Sequence, residues 1–318
     1  SMRPVAFDQP HLPGSVVAFT FRSLLPGQER RPAVLVAGPV LRCCSLLFPG
    51  ETELALLGGS TALRKLTYQN FLQPCSPDVW LFDPDAGWQL AVKAGDEVVV
   101  NPSLGCGRCG ECLSGRENLC RKFAILGEHV SGGQAQRLAV AARNVLPKPA
   151  RLSFEEAAAV PLTFMTAWHA LVQRARVRPG ETVLVHAAGS GVGVAAVQIA
   201  KLLGARVIAT AGSDAKLEKA KGLGADEVVN YETQDFAKEV KRLTDRKGVE
   251  VVFEHVGKKT WEKSILSAAL GGRITTLGAT TGFDPLTDLR HVFFRQISIL
   301  GSTMGTGGDL LEVLRFVG

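Results

Sequence analysis

Long apolar runs are missing from this 318-residue sequence. None approaches the roughly 20 residues that a membrane-crossing helix requires, which excludes a spanning protein. A basic-then-apolar leader with a small-residue cleavage site is also missing, so secretion has no support, and Ser1-Met2 reads as a scar ahead of an initiator methionine. Histidine is scarce, at six residues, with none between His11 and His129. Charge of one sign does not dominate: 36 Lys plus Arg against 30 Asp plus Glu leave +6. The basic residues are dispersed, so a solvated surface is expected rather than a nucleic-acid face. What remains is ordinary globular composition, 46% hydrophobic and 21% charged. That length predicts about two domains at roughly 150 residues each.

Cysteine is distributed unevenly. The seven cysteines are odd in number, and four crowd into residues 106–120, while Cys43, Cys44 and Cys75 stand apart. Such crowding does not fit a set of structural disulfides, and it points to a metal in a reducing compartment, here the cytoplasm. The spacing is Cys106-x-x-Cys109-x-x-Cys112-x7-Cys120. Four thiolates from one short loop make a closed tetrahedral site with no position left for water or substrate. That chemistry is structural zinc, with the metal replacing a core that a small lobe cannot build. An iron–sulfur cluster is the rival occupant, but no redox-partner motif accompanies the cysteines.

Three textures divide the chain. Residues 9–93 hold nine of the 16 prolines and sustain neither a period of 2 nor one of 3.6. Val34–Ala37 could form a short strand there and Thr52–Leu66 a helix broken by Gly58-Gly59, while loops with marginal structure fit equally well. From Gly95 onward the pattern sharpens, with Glu97–Val100 as a strand. Ser153 with Glu156 forms a capping box, predicting a helix that stops at Pro161. After Pro179-Gly180, strands and helices alternate regularly. Strands are expected at Thr182–His186, Ala205–Ala211, Glu227–Asn230, Glu250–Glu254, Arg273–Leu277 and Ile297–Gly301. Helices fall between them, the first ending near Leu203, then Asp214–Leu223, Asp235–Leu243 and Thr260–Leu270, with a last one from Asp309. This alternation gives a parallel sheet with right-handed crossovers. The expected fold class is therefore α/β, with a boundary at 152/153 between a first β domain and a Rossmann-type domain.

The first strand of that array runs into Ala187-Ala188-Gly189-Ser190-Gly191-Val192-Gly193, inside which a helix begins. A dinucleotide pyrophosphate needs a tight turn, backbone approach without an intervening Cβ, and helix N–H groups aimed at the anion. Gly191 and Gly193 suit the approach, and Ala196 suits helix-on-strand packing. An NAD site usually places an acid at the end of the second strand. Here that register gives Ala211, with Ser213 adjacent and Lys216 one step on, which suits the 2′-phosphate of NADP. Asp214 is the acidic competitor for NAD, expected instead at a helix N-cap.

The four-cysteine lobe followed by this array resembles the medium-chain dehydrogenase/reductase superfamily, in particular zinc-type alcohol dehydrogenase and quinone oxidoreductase-like members. Gly95–Val100, the four cysteines, Pro161-Leu162-Thr163 with Thr166-Ala167, and the Ala187–Gly193 turn carry the likeness. Gly224-Ala225-Asp226, Asn230-Tyr231 and Gly271-Gly272-Arg273 also fit. The resemblance implies a GroES-like catalytic domain over 1–152, with 9–93 departing from the pattern, and a Rossmann domain over 153–318. It implies NADP(H), with NAD(H) as the alternative, held by Thr166, Ala188, Gly189, Ser190, Gly191, Val192, Gly193, Ser213, Lys216, Tyr231 and His255. Thr163 would line the nicotinamide beside Thr166. Met2–Phe7 matches the family's first strand, after which the likeness lapses until about Gly95. Relatives also usually continue beyond the point matching Gly318 and return to the catalytic domain.

A Gly-His-Glu zinc signature is absent, since no histidine precedes His129 except His11. His169 and His186 lie in apolar contexts as core residues. Glu128-His129 is the acid–imidazole pair nearest the lobe and the candidate for substrate polarisation or proton transfer, against a plain loop hydrogen bond. Three functions follow in order. The first is NADP-dependent hydride transfer to a quinone, enone or carbonyl. The second is a zinc-dependent NAD(P) alcohol dehydrogenase. The third is a catalytically impaired zinc- and nucleotide-binding protein. The expected partners are a small-molecule substrate and further copies of the chain, with neither a membrane nor nucleic acid.

Overall fold

The computed structural model describes residues 95–135 and 138–317 in full, together with the backbone of four earlier strands. The chain divides into two compact units, Ser1–Lys148 and Pro149–Gly318. In the first unit, β1 (Val16–Phe21) pairs antiparallel with β2 (Arg31–Val36), and β3 (Val79–Asp83) with β4 (Gly87–Val92). Only β2 was foreseen, as Val34–Ala37. Thr52–Leu66 and Met2–Phe7 lie outside the described residues. β5 (Val98–Val100) is a β-branched run that buries Val99. The short β6 (Ser103–Leu104) and β7 (Ala124–Ile125) pair with each other across the helix α1 (Gly110–Leu113). β5 closes antiparallel on β8 (Val145–Pro147).

The second unit opens with α2 (Phe154–Trp168). Its capping box is complete: Glu156 N–H donates to Ser153 Oγ at 3.2 Å, and Ser153 N–H donates to Glu156 Oε2 at 2.9 Å. The expected stop at Pro161 does not occur. Proline removes one ladder bond at a cost of about 3 kcal/mol, yet Ala157, Val160, Pro161, Met165, Ala167 and Trp168 are all buried along one side. Packing of that side outweighs the lost bond. The helix then widens into a π-helical turn, His169–Arg174.

Six strands follow: β9 (Thr182–Val185), β10 (Arg206–Ala211), β11 (Glu227–Asn230), β12 (Val249–Glu254), β13 (Ala268–Thr276) and β14 (Ser298–Gly301). All pair in parallel, in the order β11-β10-β9-β12-β13-β14. This is the doubly wound dinucleotide-binding order, which reverses between β9 and β12. Helices α3 (Gly191–Leu202), α4 (Asp214–Gly222), α5 (Phe236–Leu243) and α6 (Trp261–Ser267) make the crossovers. Leu184, Ile208, Val252 and Ile274 from the strands pack with Phe236, Val240, Trp261 and Ile265 from the helices. Two expectations change. The helix foreseen to Leu270 ends at Ser267 because Ala268 pairs with Val249, so the sheet takes those residues. A helix that was not foreseen, α7 (Leu289–Phe294), is capped by Asp288 and is too short to show a period. The chain ends in α8 (Gly307–Val317).

Helix α8 is tied to α2 and its extension by a buried polar contact. Asp309 Oδ2 lies 2.8 Å from His169 Nδ1 and accepts from Thr306 N–H and Oγ1 at 2.9 and 3.0 Å. Burial opposes ionisation of Asp309, but hydrogen bonds from His169 and Thr306 outweigh it and hold the carboxyl below its ordinary range. Its stabilisation is therefore full above the ordinary value of 3.8 and is lost as pH falls through the lower folded value. Replacing Asp309→Asn should cost about 1–3 kcal/mol at neutral pH. In denaturant melts, the gap from the unaltered chain should narrow only below pH 3.8.

Candidate functional site

The cysteine lobe hangs from the β6–β7 pair. Cys106 Sγ lies 3.9 Å from Cys112 Sγ, and Cys109 Sγ lies 3.7 Å from Cys120 Sγ. All four sulfurs lie within 4.8 Å of one another. A tetrahedral zinc with arms of about 2.3 Å separates its sulfurs by roughly 3.8 Å, so the donor set fits that ion. Between residues 105 and 123 the only buried side chains are Cys112 and Cys120, which leaves the lobe no apolar core apart from its sulfurs. Backbone N–H groups of Arg108 and Cys109 stabilise the Cys106 thiolate and lower its pKa to about 6, while burial raises Cys112 to about 12. Cys120 accepts backbone N–H groups of Cys106 and Lys122, at 3.4 and 3.3 Å, which lowers its pKa. A Cβ on Gly105 would stand 2.9 Å from Cys112 Sγ, so this glycine leaves room for the sulfur.

The neck of the lobe depends on residues that sequence reading missed. Asn144 is 2% exposed, and its amide donates to Asn101 O at 2.9 Å and Ser103 O at 2.8 Å. Asn101 Oδ1 accepts Ser103 N–H at 2.9 Å, and Arg143 Nη2 donates to Gly105 O at 2.9 Å. Just past the lobe, Glu128 and His129 are exposed. Ile125 N–H donates to His129 Nδ1 at 3.1 Å, a loop hydrogen bond that leaves Nε2 as the ring's outward donor.

In the second unit, β9 passes through Ala187, at φ 43°, into the glycine turn. Ser190 caps α3, its Oγ accepting Gly193 N–H at 3.0 Å, and this leaves the Gly191 and Val192 amides at the helix mouth. Three glycines make room in three directions. At Gly193 a Cβ would strike Ala187 O and come within 2.9 Å of Ala188 Cα. At Gly191 it would meet Thr163 Cγ2 of α2 at 2.9 Å, and at Gly189 the Lys216 stem at 2.9 Å. The turn therefore gathers Thr163 and Lys216 as well as its own backbone. The hydroxyls of Thr163 and Thr166 donate to Ala159 O at 2.6 Å and Leu162 O at 2.7 Å, so both are already engaged within their helix.

At the end of β10 the cap of α4 is Ser213, not Asp214, because Asp214 is the first residue inside the helix. Asp214 Oδ1 accepts Asn230 Nδ2 at 2.8 Å, so its carboxylate sits on the next strand rather than on a cap. The Ser213 hydroxyl makes no capping bond. Tyr231 lies across Gly212, where a Cβ would stand 3.0 Å from its hydroxyl.

Where the strand order reverses, a buried network joins β9 to β12. His255 Nε2 lies 2.8 Å from His186 O. Ser264 Oγ donates to Glu254 Oε2 at 2.6 Å and accepts from His186 Nε2 at 2.9 Å, while Thr210 Oγ1 lies 3.2 Å from His186 Nδ1. Burial lowers the pKa of His186, against the attraction of Glu254, which raises it. Glu254 also accepts from Thr260 Oγ1 and from the Val256 and Gly257 amides. Burial opposes its charge, but attraction to His186 and bonds from Ser264 and the Gly257 and Val256 amides outweigh it and keep the carboxyl low.

A four-sulfur lobe and a doubly wound sheet with a glycine turn at its reversal define a zinc- and dinucleotide-type oxidoreductase scaffold. Comparison with known proteins makes the class specific. The alcohol dehydrogenase GroES-like domain family matches residues 85–150, and the zinc-binding dehydrogenase family matches 191–318. An alcohol dehydrogenase of Geobacillus stearothermophilus is 38% identical over 71% of this chain and 66% of its own length. A solved NAD-dependent alcohol dehydrogenase is 54% identical over 76% of this chain and 70% of its own, with TM-score 0.69. A 2-octenoyl-CoA carboxylase reductase solved with NADP and 2-octenoyl-CoA is 29% identical over 71% of this chain and 55% of its own, with TM-score 0.64. The chain belongs to the zinc-type medium-chain dehydrogenase/reductase superfamily, whose cofactors are zinc and NAD(P). It spans just under two-thirds of the Geobacillus enzyme. Among the described residues no helix is long and apolar enough to cross a membrane.

The close approach at residue 193 yields a test. Gly193→Ala must push α3 off Ala187 and Ala188, so it should cost about 1–3 kcal/mol in thermal melts. Dinucleotide affinity should fall with it in fluorescence titrations.

Proposed function

We propose that this chain is an NADP-dependent oxidoreductase that moves hydride between nicotinamide and a quinone, enone or carbonyl/alcohol substrate, with a structural zinc. When bound, the dinucleotide supplies the hydride chemistry. The carrying observation is Lys216, whose stem lies across Gly189 and whose ammonium has no ion pair among the described residues. With the uncapped Ser213 hydroxyl beside it, this is the donor pair that a 2′-phosphate uses.

The other residues divide the work. Gly191 and Val192 amides receive the pyrophosphate at the α3 mouth, with Ala188, Gly189, Ser190 and Gly193 shaping the turn. Tyr231 and His255 flank the cofactor, and Thr163 and Thr166 face the nicotinamide. Glu128 and His129 polarise the substrate oxygen or move its proton, for which the outward Nε2 of His129 is the available donor. Cys106, Cys109, Cys112 and Cys120 hold zinc in a closed site that orders the lobe and takes no part in turnover. An association of like chains, in the cytoplasm, is part of the proposal. Its support is β14, an edge strand of the sheet, with Leu289, Phe293 and Phe294 more than half exposed nearby in sequence.

An NAD-dependent alcohol dehydrogenase is the second reading. It is favoured by the 54% identical structure and by Asp214, which is free of cap duty at the end of β10. Cofactor titration separates the two. NADPH should bind more tightly than NADH, and Lys216→Ala should remove about 1.5–3 kcal/mol of NADPH binding while sparing NADH. Tighter NADH binding in the unaltered chain would move the assignment to Asp214 and NAD. Metal analysis should return one zinc per chain, and Cys109→Ser should release it and loosen the lobe while leaving the melt of the parallel sheet in place.

A further inference from the structure

The sheet has a second feature, built from the start of β12 and from α7. A cavity of about 420 Å3 is lined by Lys241, Arg246, Lys247, His291 and Arg295, with Leu266, Ala268 and Leu270 as its apolar wall. No carboxylate lines it. Lys241 belongs to the last turn of α5, where a cation complements the helix dipole, and that alone would make it an ordinary helix end. His291 and Arg295, however, belong to α7 and the residue that follows it, so the positive charge is supplied by two separate elements rather than by one helix end.

The second side is rigid. Arg295 Nη1 donates to Ile265 O at 3.0 Å and Nη2 to Ala268 O, which fixes the guanidinium and leaves further N–H donors unspent. Burial disfavours its charge, an expense that an anion in the cavity would offset. Lys241, Arg246 and Lys247 make no side-chain bond or ion pair among the described residues. Asp288, the acid on the α7 side, is already held by Arg290 at 2.8 Å. Like charges converging without a counter-charge repel one another, and a multiply charged anion relieves that repulsion. Planar guanidinium forks beside lysines match phosphate oxygens, and the leucine wall accepts an apolar substituent.

We propose that this cavity binds a small organic phosphate or diphosphate, at a site distinct from the dinucleotide turn. The site uses residues outside the dehydrogenase reading and stands whether or not that reading holds.

Inorganic pyrophosphate is the probe, titrated calorimetrically into the full chain at low and high salt. Saturable binding is expected, weakened by salt. The double variant Lys241→Glu/Arg246→Glu should lose roughly tenfold or more in affinity with an unchanged melting temperature. A control pair with the same charge change, Lys219→Glu/Lys259→Glu, should retain it. The imidazole proton resonances of His291 should shift during the titration. Absence of saturable binding at millimolar pyrophosphate would overturn the proposal. So would equal losses in both double variants, which would mark a diffuse surface field. Undiminished binding in the Lys241/Arg246 variant would place the anion at the glycine turn and overturn it as well.

Discussion

Position 193 has no room for a Cβ, and the nucleotide half is organised around that fact. The first turn of α3 comes so close to the exit of β9 that a methyl group would overlap Ala187 O. Close approach at this point brings the helix mouth over the end of the central strand, where the sheet order reverses. The neighbouring glycines extend the same geometry outward, Gly191 toward Thr163 of α2 and Gly189 toward Lys216 of α4. One backbone approach thus sets where two further elements can put side chains. Ala187 accepts a left-handed φ of 43° to make the turn, a strain held by the bond of Ala188 N–H to Thr210 O.

Beneath that turn, polar chemistry replaces apolar packing. Glu254 and His186 are both fully buried, which is tolerable only because each lone pair and proton has an assigned partner. Ser264 is the pivot: it accepts from His186 and donates to Glu254, so neither side chain can rotate independently. The amides of Val256 and Gly257 end on the same carboxylate, which fixes the path of the chain as it leaves β12. His255 then locks that exit to the β9 exit through His186 O. The network makes the floor of the reversal point stiff, as a site that must position a flexible dinucleotide requires.

Legibility in the sequence tracked the range of the interactions. Thr182–Val185 and Glu227–Asn230 fall where alternation places them, because a hydrophobic period acts over a few residues. The cysteine spacing was equally local. Pro161 misled because a local penalty was set against burial of a whole helix side, which only the tertiary structure reveals. Asn144 carried no sequence signal, since its partners lie 41 and 43 residues away. Ser264 and His186 meet across 78 residues, and nothing in either local pattern announces the other. Asp214 against Ser213 was a one-residue question of capping register, the scale at which helix boundaries are least determined by sequence.

The two units obtain their order from different physics. The parallel sheet buries Leu184, Ile208, Val252 and Ile274 against its helices in an apolar core. The lobe over residues 105–123 has no such core, since its two buried side chains are the cysteines Cys112 and Cys120. Burial favours the neutral thiol at Cys112, raising its pKa to about 12. Cys106, Cys109, Cys112 and Cys120 would hold a divalent ion, whose charge would favour the thiolate form of all four and would couple metal binding to folding of the lobe. The buried asparagine neck is the complement to this device. Asn144 satisfies the carbonyls of Asn101 and Ser103, so the segment that enters the lobe is held against the start of β8. Hydrogen bonds thus order the neck, and the four sulfurs are where a metal would order the lobe, with few buried apolar side chains between them.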